Sequence, residues 1–140
     1  MHPQYYEGIL QLRNPTKEVI QFVKSQIKKK NIFISKEIKL KNGADIYVSS
    51  QRFLRALGIK LQKIFGGQLK TSRKLHTVSK KTGKRLYRVT VLHKLPKFKT
   101  GDTITYRGEK IKIKSIGKKI SAKNIKTGKK LQINFDDIFS

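Results

Sequence analysis

The side chains best suited to a chemical role are the cations of one segment, GGQLKTSRKLHTVSKKTGKRLYRVTVL, at residues 66–92. Alternating apolar residues predict that it folds as a β-hairpin, in which like charges facing each other across the strands repel. Because the segment holds no aspartate or glutamate, we expect an external polyanion to supply the counter-charge. Lysine and arginine bind phosphates in any nucleotide sequence, and arginine also stacks on unpaired bases. The predicted RNA-binding residues of the hairpin are Lys70, Arg73, Lys74, His76, Lys80, Lys81, Lys84, Arg85 and Arg88.

Other basic side chains extend this prediction. Arg52 and Arg55 lie beside the apolar stripe of a predicted helix and are also predicted to bind RNA. A second basic set lies on predicted turns near the carboxyl end and consists of Lys118, Lys119, Lys129 and Lys130. We predict that this set also binds RNA; the alternative is that these lysines form a solvated rim without a ligand. Tyr87 lies within the hairpin and is expected to stack on a base or, as aromatic residues in strands usually do, to join the core.

No combination of residues predicts catalysis or metal binding. His76 and His93 would need a carboxylate or a nucleophile beside them, yet residues 46–101 contain no acid. We expect both to be hydrogen-bonded strand residues or phosphate contacts. Asp136 and Asp137 are adjacent, which is poor geometry for a shared metal ion, and they are expected to cap the last turn. The Thr-Gly-Lys-Lys sequence lacks P-loop spacing. The chain is therefore predicted not to be an enzyme, and to use no cofactor, metal or small-molecule substrate.

The overall charge points to the same class of partner. The 140 residues include 34 lysines and arginines against 8 aspartates and glutamates, a formal net charge of +26. A surface charged for solubility alone normally mixes both signs. The excess favours a polyanion, with nucleic acid ahead of an anionic membrane surface. The helix beginning at Ser50 comes nearest to a membrane-surface helix, but its apolar face is more simply a core face.

Cysteine is absent, which excludes disulfides and thiolate metal sites. No apolar run reaches the ~18 residues of a membrane span, and no signal peptide is recognisable. We therefore expect a cytoplasmic protein that does not engage a membrane. A hydrophobic content of 36 %, rich in Ile, Val, Leu and Phe, is sufficient for a packed core.

Residues 4–95 show the pattern of a two-layer α+β domain with the element order β-α-β-β-α-β-β. Strands are predicted at residues 5–13, 32–40 and 45–49 and in both arms of the hairpin, which turns at residues 81–84. Helices on one face of the sheet would leave the other face open to solvent or to a partner.

The two helices have recognisable ends. Asn14 is predicted to cap the first, with Pro15 at its first position, while Ser49 or Ser50 caps the second, which stops at Gly66-Gly67. The stripes assigned to the core are Val19, Ile20, Phe22, Val23 and Ile27 in the first helix, and Phe53, Leu54, Leu57, Leu61, Ile64 and Phe65 in the second.

The pattern changes at Leu95-Pro96. Four short alternating segments with Gly-containing turns between them are predicted as strands at residues 103–106, 110–116, 120–125 and 129–135. They predict a small all-β, SH3-like barrel over residues 96–140. A module of ~45 residues is near the lower limit for independent stability, so we expect it to pack on the first.

Several stretches resemble one known family. YYEGILQLRNP, SSQRFLRALGIKL, GGQLKTSRKLHT and RLYRVTVLHKLP look like the archaeal form of the large-ribosomal-subunit export adaptor family, which is named for nonsense-mediated decay. The family implies a first module similar to ribosomal protein eL22 and a second similar to the N-terminal barrel of translation factor five-A. The segment RGEKIKIKSIGKKISAKNIKTGKKLQI resembles that barrel in its order of strand, basic loop, strand, Thr-Gly-Lys-Lys and strand.

The chain departs from the family in two respects. The family carries paired-cysteine zinc modules at its N-terminus, and this chain has none, so we expect it to correspond to the C-terminal part of such a protein. The five-A factor has a long basic loop with a modified lysine, whereas the loop here is Gly117-Lys118-Lys119, and that modification is not expected. Because the resemblance is to the archaeal form, we expect no C-terminal export signal.

The resemblance implies a non-catalytic assembly factor. Such a protein would bind ribosomal RNA and nearby ribosomal proteins on the intersubunit face of the large subunit, at the peptidyl and exit transfer-RNA sites, during late biogenesis. Two alternatives stay open. A constitutive ribosomal protein would remain in translating ribosomes, and a basic DNA-binding chromatin protein would prefer duplex DNA.

Overall fold

The computed structural model describes residues 5–78 and 80–139. The first seven elements follow the predicted order and are β1 (Gly8–Arg13), α1 (Lys17–Lys29), β2 (Ile34–Leu40), β3 (Gly43–Val48), α2 (Gln51–Phe65), β4 (Gln68–Val78) and β5 (Arg85–Lys94). The five strands form one sheet in the order β2-β3-β1-β5-β4. β1 pairs parallel with β5, and the other pairs are antiparallel. β1 is therefore the central strand, and β2 and β4 are the edges.

The first core lies between this sheet and its two helices. Successive residues of a strand point to opposite faces, and Leu10 and Leu12 of β1 are buried on the face that the helices cover. Gly58 lets α2 approach β5 closely, because a Cβ at this position would lie 2.8 Å from Cγ1 of Val91. The other buried apolar residues of this core are Val19, Val23, Ile27, Ile46, Val48, Leu54, Leu57, Leu61, Val89 and Leu95.

The start of α1 differs from the prediction. Thr16 caps the helix, since its Oγ1 accepts the backbone N–H of Val19 at 3.3 Å. Asn14 instead adopts a positive φ of 53°, which asparagine tolerates better than most residues, and its Nδ2 donates to the Leu95 carbonyl at 3.1 Å. The predicted cap therefore joins the end of β1 to the segment after β5.

The predicted ends of α2 are confirmed, but both apolar stripes were drawn too wide. The Oγ of Ser50 accepts the N–H of Phe53 at 3.1 Å, and Gly66 ends the helix with a positive φ of 70°. Ile20 and Ile64, assigned to the core, are 37 % and 56 % exposed. Each lies at the margin of its stripe, where the helix surface turns away from the sheet.

A second sheet follows the first. It consists of β6 (Thr103–Tyr106), β7 (Glu109–Ile116), β8 (Ile120–Asn124) and β9 (Lys130–Ile133), which pair antiparallel in that order. A short helix, α3 (Phe135–Phe139), ends the described chain. The buried residues of this second core are Ile111, Ile113, Ile120, Ala122, Ile133 and Phe135.

The predicted barrel is not found. Over the described residues, β6 and β9 are the two edges of an open four-stranded sheet, and no pairing joins them. Both edge strands have only four residues. The last predicted strand also ends early, because Phe135 begins α3. The fold is therefore α+β with two sheets and few helices.

The two sheets contact each other around the turn between β7 and β8. The N–H of Gly67 donates to the Gly117 carbonyl at 3.0 Å, and Nε2 of Gln68 donates to Oδ1 of Asp136 at 2.7 Å. Leu95, where the sequence pattern changes, is buried in the first core. The boundary between the two patterns thus lies in a packed region.

Candidate nucleic-acid interface

The predicted hairpin extends beyond the body of the sheet. β1 pairs with β5 only from Val89 onward, so residues 74–78 and 85–88 are paired only with each other in the part of the chain that the structure describes. The five residues of the β4 arm, at ~3.4 Å each, give a projection of ~17 Å before the turn. We call residues 74–78 and 80–88 the β-ribbon. Its cations therefore lie on a narrow two-stranded arm, which can enter a groove or loop of a ligand that is too narrow for the rest of the protein.

The β-ribbon carries apolar side chains between its cations. Leu75, Val78 and Leu86 are each about half exposed, at 47 %, 47 % and 46 %. Lys80, Lys81, Lys84 and Arg85 are exposed around the turn. Alternating cations and exposed apolar groups suit a ligand that offers both phosphates and base faces, as unpaired RNA does.

Two arginines of the hairpin stack on tyrosines of the protein. The guanidinium of Arg73 lies 4.5 Å from the centre of the Tyr87 ring, and that of Arg88 lies 3.8 Å from the centre of the Tyr6 ring. Tyr87 is half-buried, so it is neither a core residue nor an uncovered stacking platform. Base stacking at Tyr87 would require Arg73 to move or to stack on the base itself.

Arg88 has further contacts inside the protein. Its Nε donates to the Tyr6 carbonyl at 3.2 Å and its Nη1 to the Tyr6 hydroxyl at 3.1 Å. The Tyr6 ring also packs edge-on against Tyr47, with centroids 4.8 Å apart. Arg88 thus anchors the base of the β-ribbon to the open face of the sheet, a role the sequence did not reveal.

The remaining β4 cations have different surroundings. Lys70, at the start of β4, lies 3.1 Å from Oδ1 of Asp136, an exposed pair that links the two sheets. Lys74 is exposed and pairs with Arg88 in the ladder. His76 is exposed where the β4–β5 register shifts, between Leu75 and Thr77. Lys74 and His76 therefore belong to the accessible surface of the β-ribbon, whereas Lys70 belongs to the contact between the sheets.

The two helix arginines lie near the base of the β-ribbon. α2 begins there, because Gln51 donates its N–H to Oε1 of Glu7 at 2.9 Å and its side chain to the Tyr87 carbonyl at 3.4 Å. Arg52 and Arg55 are both exposed on the first turns of α2. Arg55 lies one helical turn after Gln51 and continues the basic surface of the β-ribbon onto α2. Arg52 instead borders a groove of about 380 Å³ between α1 and α2.

His93 is confirmed as a hydrogen-bonded strand residue. It is 1 % exposed, and its Nε2 lies 2.7 Å from the Gly66 carbonyl, so Nε2 carries the proton and donates. Nδ1 has no partner among the described residues. Burial lowers the pKa of His93, and the bond to Gly66 opposes this only in part. The neutral ring joins β5 to the end of α2.

The four turn lysines do not form one cluster. Lys118 and Lys119 precede β8, beside the contact between the sheets, whereas Lys129 lies in the turn after β8 and Lys130 is the first residue of β9 and not a turn residue. The sequence analysis named Lys130 but missed the two lysines that lie in register with it. Lys112 of β7 pairs directly with Lys123 of β8, which pairs directly with Lys130 of β9. Alternation in KIKIK was the only signal of this row, because the register across strands is not visible in the sequence.

Two other kinds of site are absent from the part of the chain that the structure describes. In residues 5–78 and 80–139, no three His, Asp or Glu side chains group so as to hold a metal ion. No helix over the same residues has the length and apolarity to cross a membrane.

The comparison with known proteins agrees with the extent of the first sheet. No curated protein matches the chain. Residues 5–95 match the family described as NMD3, second domain, and this segment covers well over half of the chain. It begins just before β1 and ends one residue after β5. The chain therefore belongs to the NMD3 family, which is linked to biogenesis and export of the large ribosomal subunit.

Proposed function

We propose that this chain is a non-catalytic, ribosomal-RNA-binding part of a large-subunit assembly factor. The observation that carries the proposal is the β-ribbon, a basic and acid-free arm projecting ~17 Å from a domain of the NMD3 family. Within a free protein such a charge distribution only destabilises the strands, whereas RNA phosphates supply the missing counter-charge.

The mechanism we propose is occupancy. The chain would lie on the intersubunit face of the immature large subunit, over the peptidyl and exit transfer-RNA sites, and prevent translation until its release. It would contact nearby ribosomal proteins as well as RNA, act in the cytoplasm, and need no cofactor. An archaeal origin, an eL22-like first module and a five-A-like second module belong to the same proposal. The matched family segment and the four antiparallel strands of the second sheet support it.

Contacts at two sheets would strengthen binding to one RNA surface. Because the sheets touch through Gly67, Gly117, Gln68 and Asp136, basic residues on both are held at a set separation. The second contact then forms at a high effective concentration without a further loss of translational entropy. This arrangement suits a folded RNA surface better than an isolated strand.

Co-sedimentation with purified ribosomal subunits tests the proposal. The chain should sediment with large and not small subunits, and transfer RNA bound at the peptidyl and exit sites should displace it. A β-ribbon variant, Lys80→Gln with Lys81→Gln and Lys84→Gln, should be retained less than an edge control variant. The edge control removes three exposed lysines on the opposite side of the first domain: Lys17→Gln, Lys39→Gln and Lys41→Gln.

Other outcomes would identify the rival functions. Retention in translating ribosomes at one copy per large subunit would indicate a constitutive ribosomal protein. Tighter binding to duplex DNA than to large-subunit RNA at equal salt would indicate a chromatin protein. Equal retention on both subunits, unaffected by transfer RNA, would overturn occupancy of these sites.

A further inference from the structure

The second sheet has a face made of lysines. Ile111 and Ile113 of β7 are buried, so the lysines that alternate with them point outward. Register places Lys112, Lys123 and Lys130 directly opposite one another on three adjacent strands. We call the outward-facing set the lysine face: Lys110, Lys112, Lys114, Lys123 and Lys130, all exposed.

This arrangement is unfavourable for the protein alone. Neighbouring strands lie ~4.8 Å apart, and like charges directly opposite each other destabilise a sheet. In the described part of the chain no lysine of the face forms an ion pair, since the pairs found there are Arg13–Asp45, Lys24–Glu37 and Lys70–Asp136. Glu109, on the same strand, accepts a hydrogen bond from Asn124 at 2.6 Å instead.

The lysines border a depression in the sheet surface. It has a volume of about 520 Å³ and is lined by Lys114, Lys123, Lys130, Ser121 and Gln132, together with the apolar residues Ala122 and Leu131. The lysines are exposed, so their ammonium groups are accessible to a ligand lying across the strands. The face contains no arginine and no aromatic residue, in contrast with the β-ribbon.

That composition selects among possible polyanions. Protein interfaces are depleted in lysine and enriched in arginine and aromatic residues, so an acidic protein is a poor match. Base recognition uses stacking or the arginine fork, and both are missing here. Lysine is a strongly hydrated point charge, which binds phosphate without demanding one geometry. A row of lysines on rigid strands therefore matches a phosphate backbone.

We infer that the lysine face is a second RNA site that binds the phosphate backbone independently of sequence. This inference rests on the proposed function for the identity of the natural ligand, although any RNA strand would suit its chemistry. The β-ribbon would contact unpaired bases and phosphates, and the lysine face would add affinity alone.

The experiment compares the salt dependence of RNA binding in four forms of the full chain: the unmodified chain, a face variant, an arginine variant and the edge control variant. The face variant carries Lys112→Gln, Lys123→Gln and Lys130→Gln, and the edge control variant removes the same charge. Binding to polyuridylate and to a large-subunit RNA transcript is measured between about 50 and 200 mM salt. Each phosphate contact that a variant loses makes the slope of log K on log[salt] shallower by about 0.7 on single strands and 0.9 on duplexes.

The face variant should therefore have a slope shallower by about 2 to 3 on both RNAs, and the edge control should not. Across the fourfold change in salt, the advantage of the unmodified chain should shrink by about 20- to 40-fold. An arginine variant at the same three positions should keep the full slope. The face variant should melt at the same temperature as the unmodified chain or higher, because repulsion is relieved.

Several results would overturn the inference. Equal loss of slope in the face and edge variants would mean a diffuse positive field. Retained RNA binding with loss of polyglutamate binding would assign the face to an acidic protein. If the glutamine variant unfolds, the arginine variant provides the test. An arginine variant that melts normally but loses slope in log K against log[salt] would also contradict binding to the phosphate backbone. Failure of the proposed function looks different: the chain would not select large subunits, yet the face variant would still lose its slope on polyuridylate.

Discussion

Replacing Gly66 with alanine should separate the two sheets at their closest approach. Gly66 combines φ of 70° with ψ of −170°, a region used essentially by glycine alone. A Cβ built there would overlap the carbonyl oxygen of Ile116 and lie 3.2 Å from Cα of Gly117. Both obstacles are backbone atoms of the β7–β8 turn, so no rotamer change can make room.

The expected loss of stability follows from these two effects. The backbone strain costs about 1–3 kcal/mol, and the overlap about 1–3 kcal/mol if it resembles overpacking in a core. Alanine restricts the unfolded chain and returns only about 0.4–1 kcal/mol. The strain and the overlap outweigh this gain, and the free energy of unfolding should fall by about 1–5 kcal/mol. At roughly 3–4 °C per kcal/mol for a chain of this size, the melting temperature should fall by roughly 3–20 °C.

Gly117→Ala is the matched control on the facing turn. Gly117 has open space around its missing Cβ and no positive φ, so alanine there should change stability by no more than about 0.5 kcal/mol. Urea unfolding followed by circular dichroism measures both variants. If Gly66→Ala unfolds within about 0.5 kcal/mol of Gly117→Ala, the close contact between the sheets is not as described.

Three further predictions concern single features of the molecule. The β-ribbon variant should lower the slope of log K on log[salt] for large-subunit RNA by about 2 to 3, with little change in the edge control; equal slopes would mean that the β-ribbon is not a contact site. Arg88→Lys should lower the free energy of unfolding, measured in urea, by about 1–2 kcal/mol, because lysine loses the planar stack and the pair of hydrogen bonds to Tyr6. If the slope of log K on log[salt] for RNA is unchanged in this variant, Arg88 has a structural role and does not contact RNA. The melting temperature should fall as pH drops below 6.5, the ordinary pKa of histidine, because unfolded His93 binds a proton that the folded state, with its lowered pKa, resists. His93→Gln should remove that part of the pH dependence, and an unaltered dependence would assign it to other groups.

The sequence was sufficient to locate most elements because burial on one face repeats with the period of the element. Leu10 and Leu12 in β1, and Ile111 and Ile113 in β7, alternate with exposed or half-exposed neighbours and are fully buried. The same periodicity does not reveal where a stripe ends, so Ile64 was assigned to the core although more than half of it is exposed. Helix α3 was missed because its five residues make little more than one helical turn, which is too short for an apolar pattern to repeat.

The candidate sites were predicted less completely, for a different physical reason. Composition identifies cations but not their neighbours. Arg88 is indistinguishable from Arg85 in the sequence, yet only Arg88 meets Tyr6, which is 82 residues away. The row of Lys112, Lys123 and Lys130 depends on the register of three strands, and a shift by one residue would turn each lysine toward the core.

The position of β1 also has a consequence for the order in which the chain acquires its structure. Gly8 pairs with Val89, so roughly 80 residues must be synthesised before the central strand gains its second neighbour. Contacts this distant along the chain are slow to form, because a large loop must close first. Until β5 arrives, β1 exposes an unpaired edge and part of the first core, which makes the nascent chain prone to aggregation. Any truncation that removes β5 should therefore abolish folding of the entire first sheet and not merely delete its basic arm.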